Sequence, residues 1–370
     1  MRTKHILIIF LSTFIFILSL INSGFFSSKL SWDEVDYANA SREGILINAF
    51  DLKDLNMIQF IKIGMAKSSN NREEIIKISS EVFPEDEQPF LMRHFHPPLP
   101  VYYWSLFTTS TNSIVDLPLR LSSVFFFILF IVLFLTLGLK QKEIQPNKSP
   151  LQDLLVFCLF TSPVFFLSNS SLNFHIFHAL ACLFFAFNLQ NYLKKYSNKN
   201  EWFLAFSLAG LLLTLETGIF VVFVGFLTVI FYKGIKYLLS SDLLRLFVKS
   251  FMIFIVFWPG AIISGGPIKS WFMYVYRIFF NSNAEYKGLD IFSNLMQFIN
   301  SNLLLTLIVI INIVVLILKN SLKEIFNVPV VLGLAYGAFL MPFALNYTYF
   351  IPAVTLIVFG IYIQHEKTTI

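Results

Sequence analysis

An all-α polytopic membrane protein is the fold class that this sequence predicts, and three observations predict it. Of 370 residues, 56% are hydrophobic and only 13% are charged, where a soluble domain carries about 25% charged residues. Apolar runs of span length recur from residues 6–21 to residues 347–363. The basic residues gather in short segments between those runs, as orientation signals do. Together they imply about 10–11 transmembrane helices in a single integral membrane domain, 1–370, with a partly helical first extracytoplasmic loop. A net charge of +5 distributed in this way is no nucleic-acid signature. The 45 phenylalanines suggest lipid-facing bulk, and Cys158 and Cys182, both inside apolar runs, are expected to be free thiols.

Arg2, Lys4 and His5 precede the first run. A cleaved signal peptide would have the same shape, but Asn22-Ser23-Gly24 leads straight into Phe25-Phe26 with no small-x-small site. An uncleaved helix with a cytoplasmic N-terminus follows, and the loop 23–96 then lies outside. Between Ser31 and Arg93 that loop holds 12 of the 22 carboxylates. Within it, 34–48 reads as an amphipathic helix, 55–67 as a segment along the membrane surface, and 71–82 as a third helix, broken by the prolines at 84 and 89.

The loop opens on SWDEVDYANASRE, residues 31–43. A carboxylate pair, Asp33 and Glu34, beside Tyr37 where a span meets water is a candidate for general-base chemistry. The same run equally suits a solvated helix start, with Asp33 as N-cap and Asp36 in the first turn. The loop closes on RHFHPPLPVYYW, residues 93–104, whose prolines break the chain at the start of a membrane segment. His96, Tyr102 and Tyr103 either face a site or form an interfacial aromatic belt. His94 and His96 have metal-pair spacing, but two imidazoles do not make a site.

Residues 117–139 form a clear span, opening on DLPLRLSSVFF with Arg120. Lys140, Lys142 and Lys148 follow it, and charge places them in the cytoplasm. If 97–111 and 117–139 both crossed fully, the same segment would lie outside; either 97–111 is short or re-entrant, or the charge rule fails. Runs 151–168 and 172–192 make a hairpin between this basic segment and Lys194, Lys195 and Lys199. Its turn then lies on the outer side, within reach of Asp33, and carries His175 and His178 on one helical face. They are either hydrogen-bonded structural groups or substrate contacts.

Residues 201–232 are too many for one span at ~1.5 Å rise across ~30 Å of hydrocarbon. TLETG, 214–218, divides them into two halves. Glu216 at membrane depth is costly, hence functional or paired, or it caps the second half. The basic segment 233–249 is expected along the cytoplasmic surface, and 251–263 as the next span. An outer loop, 266–300, carries Arg277 beside Tyr274 and Tyr276, where a guanidinium could grip a lipid phosphate or anchor at the interface. Residues 301–370 supply C-terminal helices at 303–318, 329–344 and 347–363, with no soluble C-terminal domain.

The motif Asp33, Glu34, Tyr37, Ala38, Ser41, Arg42, Glu43 resembles the first-loop motif of GT-C glycosyltransferases, the polytopic enzymes that use polyprenyl-phosphate sugars and include protein O-mannosyltransferases and the aminoarabinose transferase of lipid A. His96-Pro97-Pro98-Leu99 with Tyr102 or Tyr103 is similar to the element that opens the second span of that family. The resemblance implies a GT-C type bundle in the cytoplasmic membrane with an extracytoplasmic active site. It implies inverting transfer of a sugar from a polyprenyl-phosphate donor to a lipid, glycan or protein acceptor. Asp33 would be the base, and Glu34 would orient it or hold a divalent metal ion, with His96 as a second candidate ligand. Tyr37 and Arg42 would pack or bond beside them, and His96, Arg120 and Arg277 would face the phosphate. The chain departs from the family at three places. His175 stands near a usual Asp, Leu215 where a Lys is common, and no Arg precedes the Tyr349–Pro352 stretch. A flippase of lipid-linked sugars and a noncatalytic GT-C-fold partner are the competing readings.

Overall fold

The computed structural model describes residues 3–52, 57–68, 71, 73–74, 77, 96–108, 116–142, 150–270, 291–319, 326–341 and 347–364. Among them every regular element is helical. Helix α1 (Thr3–Asn22) is followed in the first loop by α2 (Trp32–Arg42), α3 (Ile45–Phe50) and α4 (Met57–Ser68). The expected single helix over 34–48 is two helices. Gly44 takes φ 87, a left-handed value that L side chains avoid, and turns the chain between them. Helix α4 overlaps the stretch 55–67 expected along the membrane surface, and its Ile58, Ile61 and Met65 are exposed. Most of the third loop helix expected at 71–82 lies outside the described residues.

Next come α5 (Leu99–Ser105), α6 (Leu117–Lys142), α7 (Pro150–Phe160) and α8 (Pro163–Asn169). Pro163 removes a backbone donor, and α7 and α8 meet at 43° around it. Helix α9 (Phe174–Lys194) is capped by Asn173, whose Oδ1 accepts from the His175 N–H at 2.8 Å. Helices α10 (Asn198–Leu212) and α11 (Gly218–Lys233) flank the TLETG interruption. Helix α12 (Ser241–Phe257) starts at the cap Ser240, so residues 241–249, expected along the surface, are the first half of this long helix. Helix α13 (Gly260–Ile263) is one turn; α14 (Ile291–Ser301) and α15 (Leu303–Lys319) meet at 93°; α16 (Val328–Leu340) and α17 (Ile351–Tyr362) complete the bundle.

Among the described residues three helices, α1, α6 and α9, are single elements long and apolar enough to cross a membrane, or up to five spans if each bent pair counts as one. Polar contacts mark one end of the bundle. Lys4 pairs with Asp153 there. Gln141 bonds Asn191 at 2.6 Å, and Tyr192 bonds Tyr237. Lys249 donates to Asn198 at 3.1 Å, and Gln152 to the Gln364 carbonyl at 3.1 Å. These contacts collect the start of α1, the ends of α6 and α9, and the starts of α7, α10 and α12 at what we term the lysine end. The opposite, loop end carries α2, α3 and α5.

Of the alternatives for residues 97–139, the described helix fits a short 97–111 segment. Helix α5 has only seven residues and is bonded into the loop end on both sides. The Leu99 N–H donates to Leu213 O at 3.1 Å, and Ser105 Oγ to Ser41 O at 2.8 Å. Lys140 therefore falls at the same end as Lys4.

The phenylalanines divide into two populations. Some form the core, where Phe130, Phe134, Phe160 and Phe165 are buried and meet edge to face (Phe130–Phe165 5.1 Å, Phe134–Phe160 5.4 Å). Others, such as Phe10, Phe223 and Phe231, point outward, as lipid-facing residues do. Cys158 and Cys182 are buried and free.

Candidate functional site

The loop end is assembled by residues far apart in sequence. In α2, the Ser31 N–H donates to Glu34 Oε2 at 2.8 Å, an N-terminal cap that fixes the Glu34 side chain. Glu34 Oε1 accepts from Arg120 Nη1 at 2.8 Å and from the Leu172 N–H at 3.1 Å. Arg120 Nη2 donates to Lys29 O at 3.1 Å, and the guanidinium lies 4.4 Å from the centre of the Phe25 ring. Both side chains are almost wholly buried, Glu34 at 5% exposure and Arg120 at 2%. The pair ties α2, the turn after α1, the start of α6 and the α8–α9 turn into one knot. The structure thus brings two expected site residues together, but they face each other rather than an open cleft.

Arg42 is bonded in a similar way, to Asp116 at 3.1 Å and to Asn39 Oδ1 at 3.0 Å. The Tyr102 hydroxyl donates to Phe257 O at 2.6 Å, and that of Tyr103 to Ser122 O at 2.7 Å. These contacts hold α5 against α12 and α6.

Tyr37 leads toward the other group of polar residues. Its ring stacks on Trp104 (5.7 Å, 18°), meets Phe174 edge-on at 4.7 Å and lies 6.2 Å from the His96 ring. Asp33 stands four residues before Tyr37, on the same helical face; its side chain lies outside the described residues, as do His94 and Arg277.

His96 Nδ1 is 2.9 Å from Glu216 Oε2, with the imidazole against Phe174. The interruption that carries Glu216 is held on three sides. Thr214 Oγ1 bonds His178 Nδ1 at 3.0 Å, Glu216 bonds His96, and Thr217 Oγ1 bonds the Tyr336 hydroxyl at 2.7 Å. Each polar residue of TLETG therefore meets a partner from a different element, which answers the cost of polar groups at this depth. The turn is tight: a Cβ on Gly218 would come within 2.7 Å of Leu211 O. Leu215 within the interruption is buried.

His178 is fully enclosed and its Nε2 lies 3.5 Å from Cys182 Sγ. The His175 ring packs on Tyr349 at 4.1 Å. Among the described residues no group of three or more His, Cys, Asp or Glu side chains is placed to hold a metal ion.

Beside Glu216 lies a cavity of about 500 Å³, lined by Pro97, Leu212, Ile219, Phe254 and Trp258 among others. Glu216 is the one ionisable side chain among the described residues that line it. An apolar slot with a single carboxylate in its wall, itself paired with the His96 imidazole outside the lining, suits a ligand with a long hydrocarbon tail and a polar head. Trp258 in the cavity wall is held by Asp51, whose carboxylate accepts from Trp258 Nε1 at 3.0 Å and from Ser264 Oγ, tying the first loop to the end of α12.

The pairing of His96 with Glu216 could not be read along the chain, because 120 residues separate the two. The signal that was available is the lone carboxylate inside an apolar run. No protein-family model, curated protein or solved structure matches the chain.

Proposed function

We propose that this chain is a membrane glycosyltransferase that moves a sugar from a polyprenyl-phosphate donor to a lipid, glycan or protein acceptor at the loop end. The observation that carries the reading is the junction of the first-loop motif with the His96–Glu216 pair. Through Tyr37, the helix face that bears Asp33 adjoins the His96 imidazole, which is paired with the one carboxylate lining an apolar cavity.

In this reading the isoprenoid chain lies in the cavity and the phosphate sits near His96. Asp33 takes the proton from the acceptor hydroxyl as the acceptor oxygen bonds the anomeric carbon. The bond from that carbon to the phosphate oxygen breaks on the opposite face, so one displacement inverts the centre. The sugar passes through an oxocarbenium-like state, as in glycoside hydrolysis. His96 donates toward the departing phosphate oxygen, whose charge must be held, and Glu216 fixes the ring as a positioning residue. Glu34 serves by locking α2 through Arg120. A divalent metal ion is not needed in this scheme. The orientation, with the lysine end inside and the loop end outside, is the one the positive-inside rule favours, and the resemblance to GT-C enzymes implies the cytoplasmic membrane.

A flippase of lipid-linked sugars is the second reading, favoured by the broken helices at α7–α8 and α14–α15. The experiment uses the purified chain in liposomes with a labelled polyprenyl-phosphate sugar and a mixed acceptor extract. The wild type is expected to transfer label and Asp33→Asn to lose transfer by about 100-fold or more. Equal transfer by both would remove the mechanism, and movement of label across the bilayer without transfer would establish the flippase.

A further inference from the structure

A second, larger cavity of about 860 Å³ runs between α6, α9 and α10 and takes no part in the reaction proposed above. Its two ends differ in chemistry. At the lysine end its rim carries Lys140, Gln141, Asn191, Lys199 and Asn200. Its shaft is aromatic, formed by Phe177, Phe184, Phe187, Phe203 and Phe206, and its floor reaches Thr214. The rim is braced: Gln141 Nε2 donates to Asn191 Oδ1 at 2.6 Å, Lys194 Nζ to Gln141 Oε1 at 3.1 Å, and Asn200 Nδ2 to Lys195 O at 2.8 Å. Lys140 and Lys199, by contrast, form no ion pair among the described residues and are exposed. Nearer the floor than the rim, Gly210 leaves room: a Cβ there would meet nothing within 4 Å. Phe203 and Phe206 are about half exposed, so the slot opens sideways to the surrounding medium.

We infer that this groove binds an anionic glycerophospholipid, with the phosphate of its headgroup between Lys140 and Lys199 and one acyl chain along the phenylalanine shaft past Gly210. Charge complementarity selects the head, and length selects the source. From Lys199 to Thr214 the helix α10 and its end rise about 20 Å, somewhat more than the ~15 Å of hydrocarbon in one leaflet. The charged rim is at the opposite end from His96 and Glu216, so a lipid held here has its phosphate in the other leaflet from the donor's. The site stands independently of what the loop end catalyses.

The experiment is native mass spectrometry of the purified full chain against an equimolar mixture of phosphatidylglycerol, phosphatidylcholine and polyprenyl phosphate. The wild type is expected to retain phosphatidylglycerol over phosphatidylcholine. A lysine beside lipid headgroups contributes about fivefold, so Lys140→Gln with Lys199→Gln should reduce that preference by about 25-fold. Gly210→Leu, whose Cβ meets nothing within 4 Å, should reduce retention of both glycerophospholipids while an unfolding curve like the wild type's reports an intact fold. The inference is overturned if the double lysine variant keeps the wild-type preference, if Gly210→Leu retains lipid unchanged, or if polyprenyl phosphate displaces phosphatidylglycerol.

Discussion

Replacing Arg120 by Met tests whether Glu34 acts as a structural anchor. In the structure the Glu34 carboxylate accepts from Arg120 and from the Ser31 and Leu172 N–H groups, with both ionic side chains cut off from solvent. Removing the arginine leaves a buried anion compensated only by two peptide donors. Breaking such a pair from one side costs about 3–5 kcal/mol, roughly a 100-fold or larger rise in the unfolded fraction. Neutralising the remaining partner should return part of that loss. Glu34→Gln combined with Arg120→Met is therefore expected to be more stable than Arg120→Met alone, with a coupling above about 1 kcal/mol. The assay is reversible denaturation in mixed micelles for the wild type, both single variants and the double variant. If Arg120→Met unfolds like the wild type, or if the single effects simply add, the knot at the loop end does not carry the stability assigned to it. If the stable double variant still transfers sugar, Glu34 has no direct part in the chemistry.

Three further outcomes are expected. Gly218→Ala should destabilise the chain by about 1–3 kcal/mol, because the new methyl meets Leu211 O at 2.7 Å and backbone cannot yield cheaply; an unchanged denaturation midpoint would refute the close approach. Asp51→Ala should cost about 1–3 kcal/mol by removing the carboxylate that accepts from the buried Trp258 indole N–H, and an unchanged denaturation midpoint would count against it. In the transfer assay, Glu216→Gln should keep the fold and lower turnover through a misoriented His96, with a smaller loss than His96→Ala; a larger loss for Glu216→Gln would make the carboxylate itself the reacting group.

The membrane character and the helix order were legible because both depend on runs of like residues along the chain. The apolar stretches at 6–21, 117–139 and 172–192 emerge as α1, α6 and α9, each extended or shifted by two or three residues. The interruption at TLETG was legible for the same reason, since 32 residues exceed what one span needs. Local backbone chemistry was harder to see. Gly44 divides a run that reads as one helix because its φ of 87 is a property of the turn it closes, and Ser240 begins α12 earlier than charge suggests because capping outweighs a few basic residues on a helix whose other face is apolar.

For the candidate site, residue type was informative and partner choice was not. The sequence by itself determined that carboxylates, histidines and an arginine would stand near the boundary of an apolar bundle, because such groups are costly within it and their positions are visible one by one. Only the tertiary structure decided which of them meet. Glu34 could have bonded an acceptor, a metal ion or a guanidinium; it bonds Arg120, 86 residues away. Glu216 could have capped its own helix; it bonds His96. A charged group buried in a bundle takes whichever complement packing places within about 3 Å, and that depends on how helices far apart in sequence lie against one another, which no local pattern records.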